Sequence, residues 1–572
     1  MHGSRTAGGV LVVFLPHGGY FVSMNKSYFL DRNLMALSQR NLSLCSRLSK
    51  AHTTLNSYKF MESRTGEVIP AWMSAGGTAH PLHSIMDPRK EAKRLIDSIE
   101  SEGFLVLLGL GGGYYAEAAL ERAGMVLVIE YGIDGLAELL CRRDYAPLFE
   151  SPRFRLAVDV SGEDLQKRIL ELYQPVLYGG IRVIPLRSRT SLQPEPFAHA
   201  ASAISAAIDR VSADYSVQAH FGGRWLSNII RNIEPAGTFQ RALPPVRRAA
   251  VCAAGPSLSA QVERLREKRT ELFLIATDTS LPCLLSSGIE PDAVISIDCQ
   301  HISYYHFMSG LPEGAFLFLD LASPPLLSSL SKRTLFFSGG HPLARYISRF
   351  YRPLPELDAS GGNVAYAAIS LAEQLGAREI ELYGADFSYP GGISYARGAY
   401  IYPVFESRQS RYAPLEAQAS AFLFRGPLEK KTRSGGNAWY YETKALTFYR
   451  ERLEEKSGRI EAAIIPTGCL GAPINLAPCE NRRQQSLKIF SCGKTEMDSG
   501  EFLRLYRSQI AALPEPGKNA AEYLASLKGE AQAVFATILP TAAAIKRSCA
   551  QADFRELFAQ ARAYCLREID SL

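Results

Sequence analysis

"VCAAGPSLSAQVERL", residues 251–265, runs from an apolar segment through Gly-Pro-Ser into a helix-like pattern. Ala249–Ala254 has the small, apolar character of a buried strand. Gly255 permits a turn that a side chain disfavours, Pro256 presets a first helical turn, and Ser257 is placed to cap it. A strand–turn–helix of this kind presents unpaired backbone N–H groups and the positive end of a helix dipole, which suits a phosphate. No Gly-Lys-Ser/Thr follows, so this is not a Walker loop, and it is not Gly-x-Gly-x-x-Gly either.

The alternation continues downstream. "ELFLIATDTS" ends a strand at Asp278, "AVISIDCQ" ends one at Asp298, "GAFLFLDLASPP" ends one at Asp320, and "RTLFFSGG" supplies another. "SGGNVAYAAISLAEQLGA" (360–377) is a second glycine turn leading into an apolar helix, and "REIELYGADFSYPGG" (378–392) ends a strand near Asp386. Near-continuous apolar strands between helices predict a parallel sheet covered on both faces. Ligands of such sheets bind at the carboxyl ends of the strands, where Asp278, Asp298, Asp386 and both glycine turns converge.

Upstream, "FLVLLGLGGGYYAEAALERAGMVLVIEYG" (104–132) repeats strand, glycine turn, helix and strand, with Glu130 where a ribose-binding carboxylate would sit. "DPRKEAKRLIDSIESEG" (87–103) reads as a helix with Asp87 as N-cap and Pro88 at its first position. Residues 188–233 are mostly helical, and the Pro- and Arg-rich 234–248 reads as a link. Beyond about Leu476 the pattern is amphipathic helix. The expectation is an α/β chain with two Rossmann-like doubly wound domains in tandem and a helical C-terminal region. Its boundaries are 24–245, 246–475 and 476–572. Residues 1–23 are expected to be a start-site extension, because Met24 opens a plausible helix.

Composition narrows the function. A chain of 572 residues exceeds one core. A net charge of +6 is mild and forms no concentrated basic stripe, which speaks against a nucleic-acid partner. The ten cysteines lie singly with no C-x-x-C pair, as expected in a reducing cytoplasm. "GVLVVFLP" (9–16) is too short to span a membrane, so no stable membrane insertion is expected.

Three blocks, "AAGPSLS", "DTSLPCLLSSGIEPDAVISIDCQ" and "SGGNVAYAAISLAEQLGAREIELYGADFSYPGG", together resemble the motility-associated factor (Maf) glycosyltransferases of flagellin, in a spirochaete-like form. "PLHSIMDPRKEA" and "LLGLGGGYYAEAAL" are similar to that family's N-terminal domain. The resemblance covers roughly 25–480. It implies a central domain like those of bacterial sialyltransferases and of the MptE-like 6-hydroxymethylpterin diphosphokinases. It also implies transfer of a nonulosonic acid from a CMP-activated donor to Ser or Thr of flagellin. The donor is a substrate, and neither a cofactor nor a metal is expected. The alternatives are pyrophosphoryl transfer from ATP to a pterin, or a flagellin-binding chaperone.

On this reading Gly255, Pro256 and Ser257 hold the nucleotide phosphate. Ser360, Gly361, Gly362 and Asn363 recognise cytidine or phosphate, and Asp278, Asp298 and Asp386 bind ribose or acceptor hydroxyls. His306, in "QHISYYHF" (300–307), is placed to act as base on an incoming hydroxyl. "YARGAYIYPVF" (395–405) contributes Tyr395, Arg397, Tyr400 and Tyr402; in the sialyltransferases, tyrosines on a lid steady the departing phosphate. Many relatives carry a histidine in this stretch where "GGISYARG" has Tyr395, so a base assigned there does not transfer.

Overall fold

A computed structural model describes residues 5–7, 10–14, 20–24, 26–52, 57–74, 76–99, 103–238, 243, 245–433, 437–478 and 497–572. The chain divides into two compact units. The first comprises Met1–His220, Pro514–Gln532 and Ala542–Gln560, and the second Phe221–Leu513, Ala533–Thr541 and Ala561–Leu572.

In the first unit, strands Arg5–Ala7 (β1), Val10–Phe14 (β2) and Tyr20–Met24 (β3) form an antiparallel ladder. A helix follows over Lys26–Ser38. Tyr58–Glu62 (β4), Val68–Met73 (β5) and Ala79–Pro81 (β6) make a second antiparallel sheet that the hydrophobic pattern had not disclosed. The helix Pro88–Asp97 begins as expected, with the Asp87 carboxylate accepting from Lys90 N–H at 2.9 Å. Phe104–Leu108 (β7), Met125–Glu130 (β8), Phe154–Val158 (β9) and Ile181–Pro185 (β10) build a parallel sheet in the order β10-β7-β8-β9. Every residue of β7 and β8 is buried, which is why both strands are apolar almost without interruption.

The second unit holds a seven-stranded sheet whose paired strands all run parallel. Its strands are Arg248–Cys252 (β11), Phe273–Thr277 (β12), Ala293–Ser296 (β13), Phe316–Asp320 (β14), Thr334–Phe337 (β15) and Glu379–Tyr383 (β16), closed at one edge by the strand Ala463–Pro466. The chain steps outward from β11 to β15, then returns to lay β16 on the other side of β11. That reversal sets the carboxyl ends of β11 and β16 side by side, the position where doubly wound sheets bind ligands. Between β16 and the closing strand, Tyr389–Pro390 (β17), Glu429–Thr432 (β18) and Trp439–Glu442 (β19) form a small antiparallel sheet beside the helices Ile401–Arg408 and Leu415–Leu423. With the closing strand counted as β20, the large sheet reads β15-β14-β13-β12-β11-β16-β20.

The expected tandem of Rossmann-like sheets is present, and so is the helical C-terminal region, over Ser499–Ala512, Ala520–Ser526, Glu530–Ser548 and Phe554–Asp570. No described helix is long and apolar enough to cross a membrane.

Candidate functional site

The opening turn is locked from three directions. Gly255 N–H donates to Gly384 O at 2.8 Å, and Ser257 N–H donates to Asp386 Oδ2 at 2.8 Å. The other Asp386 oxygen accepts from Leu470 N–H at 2.8 Å and Gly471 N–H at 3.3 Å. A carboxylate therefore already lies at the start of the helix Leu258–Glu267, where the dipole favours negative charge. Asp386 thus ties the loops after β11, β16 and β20 together from a position 2% exposed. Gly255 is required for space and not for its dihedral: a Cβ there would stand 2.4 Å from Gly384 O, while its φ lies outside the left-handed region. Ser257 Oγ is buried and has no hydrogen-bond partner.

One strand over, a second group forms. Asp278 follows β12 directly; its Oδ1 accepts from Thr279 N–H at 2.7 Å and its Oδ2 from Ser296 Oγ–H at 2.6 Å. His306, on the 3₁₀ helix His301–Phe307, brings Nδ1 to 3.3 Å from the same Oδ2. That is ion-pair range but off the line of a hydrogen bond, and Nδ1 has no hydrogen-bond partner. Both side chains are buried, and the Tyr400 ring lies 4.3 Å from the imidazole. Tyr395 follows at 6.2 Å from Tyr400, and burial pushes its hydroxyl pKa up.

The loop carrying these tyrosines is pinned to the first group. Ala396 N–H donates to Ala254 O at 2.9 Å, and Arg397 N–H to Ser259 Oγ at 3.1 Å. Gly255, Pro256, Ser257, Asp278, Asp386, His306 and Tyr395 thus gather at one end of the sheet. Arg397 joins them through its backbone, with the residue exposed. Asp298 lies two residues past β13, where it accepts from Gln300 N–H at 2.9 Å. Burial raises its carboxyl pKa and the Asp278 charge adds to that, while His306 acts in the opposite sense.

The second glycine turn is arranged otherwise. Asn363 caps the helix Val364–Gln374, its Oδ1 accepting from Tyr366 N–H at 3.0 Å. Ser360 N–H goes to Asp358, and a Cβ at Gly361 would run into the Tyr366 ring. Gly362 has φ +74°, a conformation glycine adopts without strain. No described hydrogen bond or ring contact joins Ser360, Gly361, Gly362 or Asn363 to the Asp278–His306 group.

Several supporting residues were not read from sequence. Ser296 fixes Asp278. Asn228 donates to Cys299 O at 3.0 Å and Ala322 O at 2.8 Å, and Asn232 to Leu321 O at 2.9 Å and Ser323 O at 2.8 Å. These two amides, one helical turn apart in "NIIRN", hold the loops after β13 and β14; the i, i+4 spacing was the available signal. Asp320 is buried, which pushes its carboxyl pKa up to about 6, and accepts from Ala322 N–H at 2.7 Å.

In the first unit the glycine turn is filled by the protein itself. Gly112 N–H donates to His83 Nε2 at 2.8 Å, and Tyr145 O–H donates to Gly111 O at 2.9 Å. Burial holds the His83 imidazole pKa down to about 3. Glu130, at the ribose-binding position, accepts from Leu110 N–H at 2.8 Å and pairs with Arg189 at 2.9 Å, both side chains being buried.

Residues 224–392 match the family model described as 6-hydroxymethylpterin diphosphokinase MptE-like. The structure resembles that of the Maf glycosyltransferase from Magnetospirillum magneticum AMB-1, with a TM-score of 0.60, 14% identity, and coverage of 96% of this chain and 95% of the other. Two uncharacterised proteins of Treponema pallidum (strain Nichols) are 36% identical over 154 residues and 35% identical over 141 residues. Those stretches cover 26% and 24% of this chain, and 54% and 67% of the two proteins; the chain spans about half of the first. The class defined is an MptE-like domain within the fold of the Maf glycosyltransferases, as the sequence resemblance implied. The chain belongs to one family with the second of these Treponema pallidum proteins.

Proposed function

We propose that this chain is a cytoplasmic glycosyltransferase that moves a nonulosonic acid from a CMP-activated donor to Ser or Thr hydroxyls of flagellin. The observation that carries the reading is the buried Asp278–His306 pair at the carboxyl edge of the MptE-like sheet, under Tyr400 and Tyr395. The shared fold with a Maf glycosyltransferase supports the same class. The acceptor oxygen bonds to the anomeric carbon, and its proton passes to His306 Nε2, the ring nitrogen turned away from Asp278. The bond from that carbon to the phosphate oxygen breaks, and CMP leaves with the electron pair. Tyr395, Arg397 and the unpartnered Ser257 hydroxyl serve the departing phosphate, where interactions that strengthen as charge develops contribute most. Asp298 meets a sugar or acceptor hydroxyl, and Ser360–Asn363 the cytidine side.

Incubation of the purified chain with flagellin and a CMP-linked nonulosonic acid is expected to raise the flagellin mass by one sugar residue and to release CMP. Added EDTA should leave the rate unchanged. The match to the diphosphokinase family model favours a second reading, pyrophosphoryl transfer from ATP. AMP formed from ATP, magnesium and hydroxymethylpterin, with flagellin unmodified, would replace the first reading by the second.

A further inference from the structure

We infer that the first unit binds a small organic ammonium ion just past the carboxyl end of β8. The phosphate position of this Rossmann-like sheet is closed by His83, and its ribose-binding acid is committed to Arg189. Directly beyond Glu130, however, the unit holds a cavity of about 620 Å³, within the range of small-molecule sites. Trp72 and Tyr131 supply aromatic surface there, and Asp134 and Glu195 supply negative charge. Among the described residues no Lys, Arg or His lines it, and no described cation pairs with either carboxylate. The nearby Arg189 guanidinium lies 4.7 Å from the Trp72 ring, with its charge answered by Glu130.

Two backbone donors beside this space are already taken. Gly132 N–H and Ile133 N–H, at the start of the helix Ile133–Leu140, donate to Asp159 at 2.6 and 3.1 Å. An anion entering this space would meet two carboxylates. A cation would meet those carboxylates together with aromatic faces, a combination that selects organic ammonium groups over strongly hydrated metal ions. Gly132 opens onto the space, since a Cβ built there meets nothing within 4 Å. Asp134 is held in place by accepting from His52 N–H at 2.8 Å. This site is separate from the proposed transfer chemistry and stands or falls independently of it.

The chain has three tryptophans, so Trp225→Phe with Trp439→Phe leaves Trp72 as the sole indole reporter. Choline and spermidine are the probes, with AMP and NAD as comparators. A saturable change in Trp72 emission is expected with an ammonium probe and not with AMP or NAD. Asp134→Asn and Glu195→Gln should each weaken it by about fivefold, the scale of one partly exposed ion pair. Circular dichroism checks folding, and calorimetry on the unsubstituted chain measures the same binding should the double variant misfold. The inference is overturned if neither ammonium probe binds saturably, if AMP or NAD binds here instead, or if both carboxylate variants bind as the parent does.

Discussion

Replacing Gly255 by alanine should destabilise the second unit before it affects any ligand. The added Cβ would lie 2.4 Å from Gly384 O and 2.5 Å from Asp386 Oδ2. Neither atom is the loose end of a flexible chain. Gly384 O already accepts from Gly255 N–H, and Asp386 is held by three backbone N–H groups. Overpacking of this kind costs about 1–3 kcal/mol. Pulling Ser257 N–H off a buried carboxylate costs roughly 1.5–3 kcal/mol more. The expected loss is therefore about 2.5–6 kcal/mol, against typical domain stabilities of about 5–15 kcal/mol. The unit should still fold but melt roughly 10 °C lower, given about 2–4 °C per kcal/mol for a domain of this size. Gly314→Ala is the control, because a Cβ there meets nothing within 4 Å and its φ is ordinary; it should shift stability by less than about 0.5 kcal/mol. Scanning calorimetry of both variants decides the matter. A Gly255→Ala protein that melts with the parent would show that the three-loop junction relaxes, and would return Gly255 to the role of admitting a phosphate.

Asp278→Asn should lower kcat by about 10²–10⁴ while leaving the KM for the donor near its original value, because Asn cannot favour the productive imidazole tautomer; steady-state transfer kinetics with an unchanged kcat would remove Asp278 from the mechanism. Asp320 binds its proton more tightly in the folded state, about 6 against an ordinary value near 3.9. Its contribution is complete below pH 4 and lost as pH rises through 6, by about 3 kcal/mol. Relative to the parent, Asp320→Asn should therefore gain about that much between pH 4 and pH 7 in urea unfolding, and a pH-independent difference would refute the assignment. Arg189→Met leaves Glu130 charged and buried, so the first unit should lose about 3–5 kcal/mol by thermal melting; an unchanged melt would mean that Glu130 finds another partner.

The sequence by itself determined the parallel sheets and the turns that end their strands. A strand covered on both faces must be apolar along its whole length, as β7, β8 and β11–β16 nearly are, and that pattern is local. The helix cap at Asp87–Pro88 was legible for the same reason, since donor and acceptor are three residues apart. The short sheets β4–β6 and β17–β19 are brief and half-exposed, so their alternation was too weak to read. Pairings across loops were beyond local pattern altogether. Asp386 reaches Ser257 across 129 residues, and Glu130 meets Arg189 only because β10 lies beside β7. His306 finds Asp278 because β13 pairs with β12, which brings Ser296 and the 3₁₀ segment over one carboxylate. Periodicity reports which face of an element is buried, whereas the identity of a polar partner depends on which loop tips converge. Strand order sets that convergence, and strand order is a property of the folded sheet.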